Sequence, residues 1–259
     1  MIRKSVHIRA FRAVKDEESS LRFIRGHEKV LEAHGVKRVT SMNHDWMHNP
    51  AVFVILVENE DRTKVYGGAR VHAAGGTQRL PLEDATGYMD NKVYEAVERE
   101  SIHGTGELCG LWNSIEVAGL GIGSFFATRA GVTIADQIGI DSMFALCAPY
   151  TVRWAKMVGC EIYTEVGKEG TFYYPKLDLV ATTVLCRDTL GLGKARRTEQ
   201  RKIKSLRETP NQKIIEQPPF KKSEVEIFYD LNIPNLDKNE FKQPILPPIN
   251  TAKDVLPAI

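Results

Sequence analysis

The chain has 259 residues, 42% hydrophobic and 26% charged, with a net charge of +2. That balance suits a globular protein with room for one large domain and an extension, and the charge is too small to argue for nucleic acid. No run of about 18 apolar residues occurs, and the opening stretch MIRKSVHIRAFRAVKDEE lacks the apolar core of a secretory signal, so a cytoplasmic protein without a membrane span is expected.

In chain order, an opening strand is followed by SLRFIRGHEKVLEAHGV (20–36), whose apolar residues recur at helical spacing up to Gly35. AVFVILVE (51–58) is a short β-branched apolar run, which predicts a central strand. KVYGGARVHAA (64–74) predicts the next strand, with Asn59, Glu60 and Asp61 as the hairpin turn. PLEDATGY reads as a loop, NKVYEAVERESI (91–102) as a helix, and GELCGLWNSIEV (106–117) as a strand. A glycine turn and a helix over roughly 122–138 come next, then a strand at DSMFALCA (141–148) and a short helix at 149–159 opened by Pro149. CEIYTEV and TFYYPKLDLVATTVLC supply the closing strands. The order predicts an α/β fold of the α+β kind, a mixed sheet with helices on its faces.

Composition shifts near Arg187. The stretch 187–222 is rich in Lys and Arg, nearly free of aromatics, and leads into a proline-spaced tail. This divides the chain into a domain over 1–187 and a basic C-terminal extension over 188–259, which by itself cannot bury much core. The extension is expected to wrap the domain, or to join two copies as a homodimer, through EVEIFYDLNI (224–233). KARRTEQRKIKSLR (194–207) reads as a solvated helix rather than a nucleic-acid contact, because no aromatic residues interleave its charges. Cys109, Cys147, Cys160 and Cys186 are widely spaced, which predicts buried free thiols rather than a metal set.

The most specific motif is EVAGLGIGSFFATRAG (116–131). A glycine-rich turn fused to a helix start presents free N–H groups and the positive end of the helix dipole, which together cradle an anion. A nucleoside-triphosphate loop would end in Gly-Lys-Ser/Thr, and no lysine is present here. A dinucleotide fingerprint would space its glycines GxGxxG, whereas Gly119, Gly121 and Gly123 give GxGxG.

AGLGIGSFF resembles instead the pyrophosphate-binding turn of the GNAT superfamily of N-acyltransferases, and DSMFALCAPYTVRWAKMVGCEIY resembles the strand, helix and turn that follow it there. The resemblance covers roughly residues 1–187. Ala118 stands where Gln or Arg is usual, which removes one phosphate contact and leaves the backbone cradle. The resemblance implies a fold with two parted parallel strands, here 106–117 and 141–148. Between them lies the phosphopantetheine arm of an acyl-CoA, or of an acyl carrier protein. Val117, Ala118, Gly119, Leu120, Gly121, Ile122, Gly123 and Ser124 form the implied cradle. N–H groups at a bulge, placed at 113–117, would polarise the thioester carbonyl. An amine acceptor then needs a base. Glu107 is the first candidate if burial raises its pKa, the alternative being a strand-end glutamate facing solvent. His103 is the second candidate. Tyr150 lies out of register for a general acid, and none is assigned.

A narrower resemblance joins VYGGARVHAAGGTQRLPLEDA and GELCGLWNS to the autoinducer synthases and the long-chain N-acyl amino acid synthases. Arg70 and Glu107 fall on that pattern, while Cys109 and Gly110 replace its serine and arginine. Arg70 is then an acceptor contact, or else a sheet arginine paired with a carboxylate. The resemblance also implies an acidic carrier protein as partner, which Arg38, Arg79 and Arg129 would meet. In MNHDWMHNP (42–50), His44 and His48 stand four apart, but Asn49 and Pro50 argue for a loop and against a metal site. Asp45, Trp46 and His48 are read as acceptor contacts. A fold of this kind that has lost catalysis and serves as a scaffold is the second functional expectation.

Overall fold

The computed structural model describes residues 4–33, 44–174, 178–219 and 222–241. The strands are β1 (Lys4–Arg12), β2 (Val52–Asn59), β3 (Val65–Ala73), β4 (Thr105–Asn113), β5 (Ser142–Cys147), β6 (Glu161–Ile162), β7 (Thr171–Tyr174), β8 (Leu179–Cys186), β9 (Asn211–Glu216) and β10 (Val225–Asp230). They form one sheet in the order β6-β8-β5-β4-β3-β2-β1-β10-β9, with β7 also on β8. Among the described residues, only β1–β10 and β4–β5 are parallel pairs.

The helices are α1 (Glu17–Ala33), α2 (Pro81–Thr86), α3 (Lys92–Ser101), α4 (Ala127–Thr133), α5 (Ala135–Ile138), α6 (Val152–Met157) and α7 (Arg197–Glu208). Strand alternation divides the apolar residues between two faces. Val52, Val54 and Leu56 of β2 meet Phe23 and Ile24 of α1, together with Trp46 and Trp112. Phe53, Ile55 and Val57 look the other way, into the core shared with α4 and α7. A third cluster, with Leu80, Leu82, Val97, Phe144 and Phe172, fills the space beneath α2 and α3.

The expected elements recur with adjusted ends, and the helix expected over 20–36 is described to Ala33. One reading changes. PLEDAT is α2, with Pro81 in its first turn and Glu83 accepting from the Leu80 N–H at 2.8 Å. The described residues after 187 pack against the rest of the chain, as the expectation that 224–233 wraps the domain requires. β10 lies against β1, and Ile203, Leu206, Val225, Ile227, Tyr229, Leu231 and Ile233 are buried in the main core. A segment too poor in apolar residues to build its own core needs little to extend a sheet that already has an edge. The apolar residues of 224–233, expected to bind the domain or a second copy, are thus taken up by their own chain.

Candidate active site

The parallel pair β4–β5 begins at Thr105↔Ser142 and ends at Glu107↔Phe144. Both strands continue, β4 to Asn113 and β5 to Cys147, so the two part at Glu107 as expected for the splayed pair. Beyond that fork the edge of β4 turned toward β5 carries backbone groups without ladder partners.

On its other side β4 pairs with β3 and carries a bulge. Gly68↔Trp112 and Arg70↔Cys109 set three steps on β4 against two on β3. The extra residue is accommodated at Gly110, whose φ of +56° favours glycine. The bulge therefore sits at 110–111 and not at the expected 113–117. β4 stops at Asn113, and Ile115–Val117 is a 3-10 turn.

The glycine turn follows at the same end of the sheet. Gly119 and Gly121 take φ of +80° and +67°. Ile122–Phe126 is a π-helical stretch that opens α4, a geometry found mostly as single turns at functional sites. Asn113 Oδ1 accepts the Gly123 N–H at 2.8 Å and ties the helix start to the end of β4. The N–H groups of Gly119, Gly121 and Ile122 have no acceptor among the described residues. Of the expected cradle residues, Val117, Ile122 and Gly123 are buried, Ala118 and Gly119 are exposed, and Leu120, Gly121 and Ser124 are intermediate. The side chains of Val117 and Ile122 thus anchor the turn in the core while its backbone forms the surface.

Glu107 is buried, 2% exposed, and not a solvent-facing strand end. Its Oε2 accepts the Leu82 N–H of α2 at 2.7 Å. Desolvation pushes its pKa up to about 8, against the opposing pull of that hydrogen bond and of Arg70.

Arg70 is also 2% exposed, with its guanidinium 4.5 Å from the Trp46 ring centroid. It lies over the bulge, because a Cβ on Gly110 would come 2.8 Å from its Nε. No carboxylate is within salt-bridge reach of it among the described residues, and Nε has no partner. The alternative of a carboxylate-paired sheet arginine is therefore not realised.

His72 faces Glu107 across the ladder, is 3% exposed, and has both ring nitrogens unpartnered. Burial and Arg70 hold its pKa well below the usual histidine value, so it is neutral. Trp112 Nε1 is a further unpartnered buried donor, and Trp112 stacks on His27, whose pKa desolvation and Arg70 lower to about 4. Beside Arg70 the Cys109 thiol is pushed up to about 12 by burial, so it is no nucleophile at neutral pH.

The structure thus brings together Arg70, Trp46 and Glu107 among the expected site residues. His103 is exposed in the turn before β4, on the far side of Glu107 from the parted strands, and does not join them. Asp45 and His48 are exposed while Trp46 is buried between them. Tyr150 is exposed. Arg129 is fully buried and Arg79 lies against Glu83 and Tyr94, so neither is free to meet a carrier protein, and Arg38 lies outside the described residues.

The sequence reading missed His72, His27 and Trp112. Two-residue alternation from Arg70 places His72 on the same face, and that was the available signal. All four cysteines are free. Among the described residues, no group of three or more His, Cys, Asp or Glu side chains is placed to hold a metal, and no helix is long and apolar enough to cross a membrane.

No protein-family model matches the sequence, and no curated protein matches it. Solved structures do. FeeM, an N-acyl amino acid synthase from uncultured soil microbes, superposes with a TM-score of 0.55 at 15% identity, over 75% of this chain and 97% of that one. BjaI, a CoA-dependent acyl-homoserine lactone synthase solved with SAM and isopentyl-CoA, superposes with a TM-score of 0.50 at 13% identity, over 79% of this chain and 90% of that one. With its parted parallel strands and a glycine turn opening the helix between them, the chain has the fold of the GNAT N-acyltransferases.

Proposed function

We propose that the chain is an N-acyltransferase that moves an acyl group from a thioester to an amine that also carries a carboxylate. The observation that carries this reading is the fork at Glu107, where a buried carboxyl of raised pKa lies near a buried guanidinium whose Nε has no partner, at the mouth of the parted strands.

The donor's pantetheine arm would lie along the free edge of β4, with its phosphates on the N–H groups of 119–122. The acceptor's carboxylate would meet Arg70, whose buried charge calls for an anion, while Trp112 Nε1 supplies a further donor on the same face. Ionised Glu107 takes a proton from the acceptor ammonium, directly or through one water. The freed amine attacks the thioester carbonyl, and N–H groups at the β4 bulge stabilise the developing oxyanion. Collapse forms the amide, and the expelled thiolate is protonated by solvent. Holding amine and thioester together supplies much of the rate. Coenzyme A is the donor carrier this reading favours, with acyl carrier protein as its alternative, because free backbone N–H groups at a helix start suit a pyrophosphate.

The test is thiol release from acyl-CoA esters of graded chain length, with amino acids and simple amines as acceptors. Release with amino acids, lost in Glu107→Gln, is the expected result. Binding of coenzyme A without release across both panels would make the chain a scaffold. Failure to bind coenzyme A or an acyl-carrier thioester would overturn the donor reading itself.

A further inference from the structure

Arg129 on α4, a few residues past the glycine turn, is completely buried. Its Nε and Nη2 donate to the two carboxylate oxygens of Glu199 on α7 at 2.7 and 3.2 Å. Its Nη1 donates to Glu216 of β9 at 2.7 Å and to the Tyr229 hydroxyl of β10 at 3.3 Å. The guanidinium packs over Phe125 and Phe126 of the π-helical stretch, 5.0 and 5.1 Å from their ring centroids. Lys202 of α7 pairs with the second oxygen of Glu216, so two cations meet two anions. Past β9 the chain runs beside the turn itself. Pro218 is buried, and its Cβ is 3.7 Å from where a side chain on Gly121 would begin.

We propose that the C-terminal strands clamp the glycine turn, and that Arg129 is a positioning residue for donor binding through Glu199 and Glu216. A planar guanidinium that binds carboxylates on two other elements is satisfied only when α4, α7 and β9 are docked together. If either carboxylate leaves, a charge stays buried without its partner, and the cheapest relief is movement of α4. The start of that helical segment is the π-helical stretch, and Gly121 caps that stretch. Donor binding and the docking of the C-terminal strands are then linked, and the linkage is reciprocal. This inference rests on reading the turn as the donor cradle.

The experiment uses coenzyme A as its probe on the full chain. In Glu199→Gln, the dissociation constant for coenzyme A should rise about tenfold or more, with the acceptor KM unchanged and Glu199→Asp partly restoring affinity. In the wild type, saturating coenzyme A should slow amide exchange in β9 and β10 as well as in the turn. Unchanged affinity in folded Glu199→Gln, or protection confined to the turn, overturns the clamp. If Glu199→Gln does not fold, the exchange measurement on the wild type decides alone. A wild-type chain that does not bind coenzyme A refutes the donor reading first, and the clamp falls with it.

Discussion

Replacing Glu107 by glutamine removes one ionisable group and keeps an oxygen to accept the Leu82 N–H. Burial holds the carboxyl at about 8 in the folded chain, against 4.5 for an ordinary glutamate. The folded state therefore holds this proton more tightly than the unfolded state does. The favourable contribution is complete below pH 4.5 and is lost as the pH climbs through 8. Each unit within that window costs about 1.4 kcal/mol. At pH 7 the wild type thus carries a penalty of about 3 kcal/mol that Glu107→Gln does not. Urea unfolding at pH 4.5 and pH 7 reads this directly, because the variant should gain about 3 kcal/mol on the wild type between the two conditions. Activity should run the other way. Only about a tenth of folded chains carry the ionised carboxylate at pH 7, so wild-type kcat should climb about tenfold between pH 7 and 9, while the variant stays low and flat. A stability difference that does not move between pH 4.5 and 7 would refute the raised pKa. A variant with wild-type kcat would refute the catalytic role.

Gly121→Asp should abolish coenzyme A binding while the chain still folds. A Cβ there makes only ordinary contacts, at 3.6 and 3.7 Å, and the positive φ costs about 1 kcal/mol, but the new carboxylate repels phosphate. Calorimetric titration giving wild-type affinity would reduce the turn to a simple connection. Arg70→Gln should raise KM for a carboxylate-bearing acceptor about 30-fold and leave coenzyme A affinity unchanged. Steady-state kinetics with an uncharged amine is the control, and an equal rise there would rule out carboxylate recognition. Gly67→Ala should destabilise by about 1–3 kcal/mol, since its Cβ would come 2.7 Å from Gly123 Cα and from the Trp112 carbonyl oxygen. Thermal unfolding checks it, and no loss would mean that β3 does not press on the helix start.

The strand–turn–helix at 105–133 was legible because its signals are local. An apolar strand, three spaced glycines and an apolar helix start each constrain the chain within a few residues. The hairpin of β2 and β3 was legible for the same reason. α2 was hidden because it is a single turn and a half of helix, although Pro81 and the acidic Glu83 and Asp84 mark its start. For the C-terminal segment, composition left open whether 224–233 packs on its own domain or on a second copy. Val225, Ile227 and Tyr229 alternate correctly for a strand, but what covers them is β1 and its neighbours, some 220 residues earlier in the chain. Arg129 misled. An isolated arginine on a helix reads as solvated, and nothing near it in the sequence announces Glu199, Glu216 or Tyr229.

The sequence by itself determined most of the elements, the faces of the central strands and the backbone turn suited to an anion, all of which follow from spacing along the chain. The tertiary structure decided that Glu107 is buried rather than a solvated end, since its desolvation is set by α2 closing over β4. It also decided that Arg70 finds Trp46 and, among the described residues, no carboxylate within salt-bridge reach, and that apolar residues of α7 and β10 join the main core. The reason is common to all three. Charge state and partnership depend on which surfaces meet across the sheet, and register, burial and dielectric are properties of that meeting rather than of any stretch of sequence.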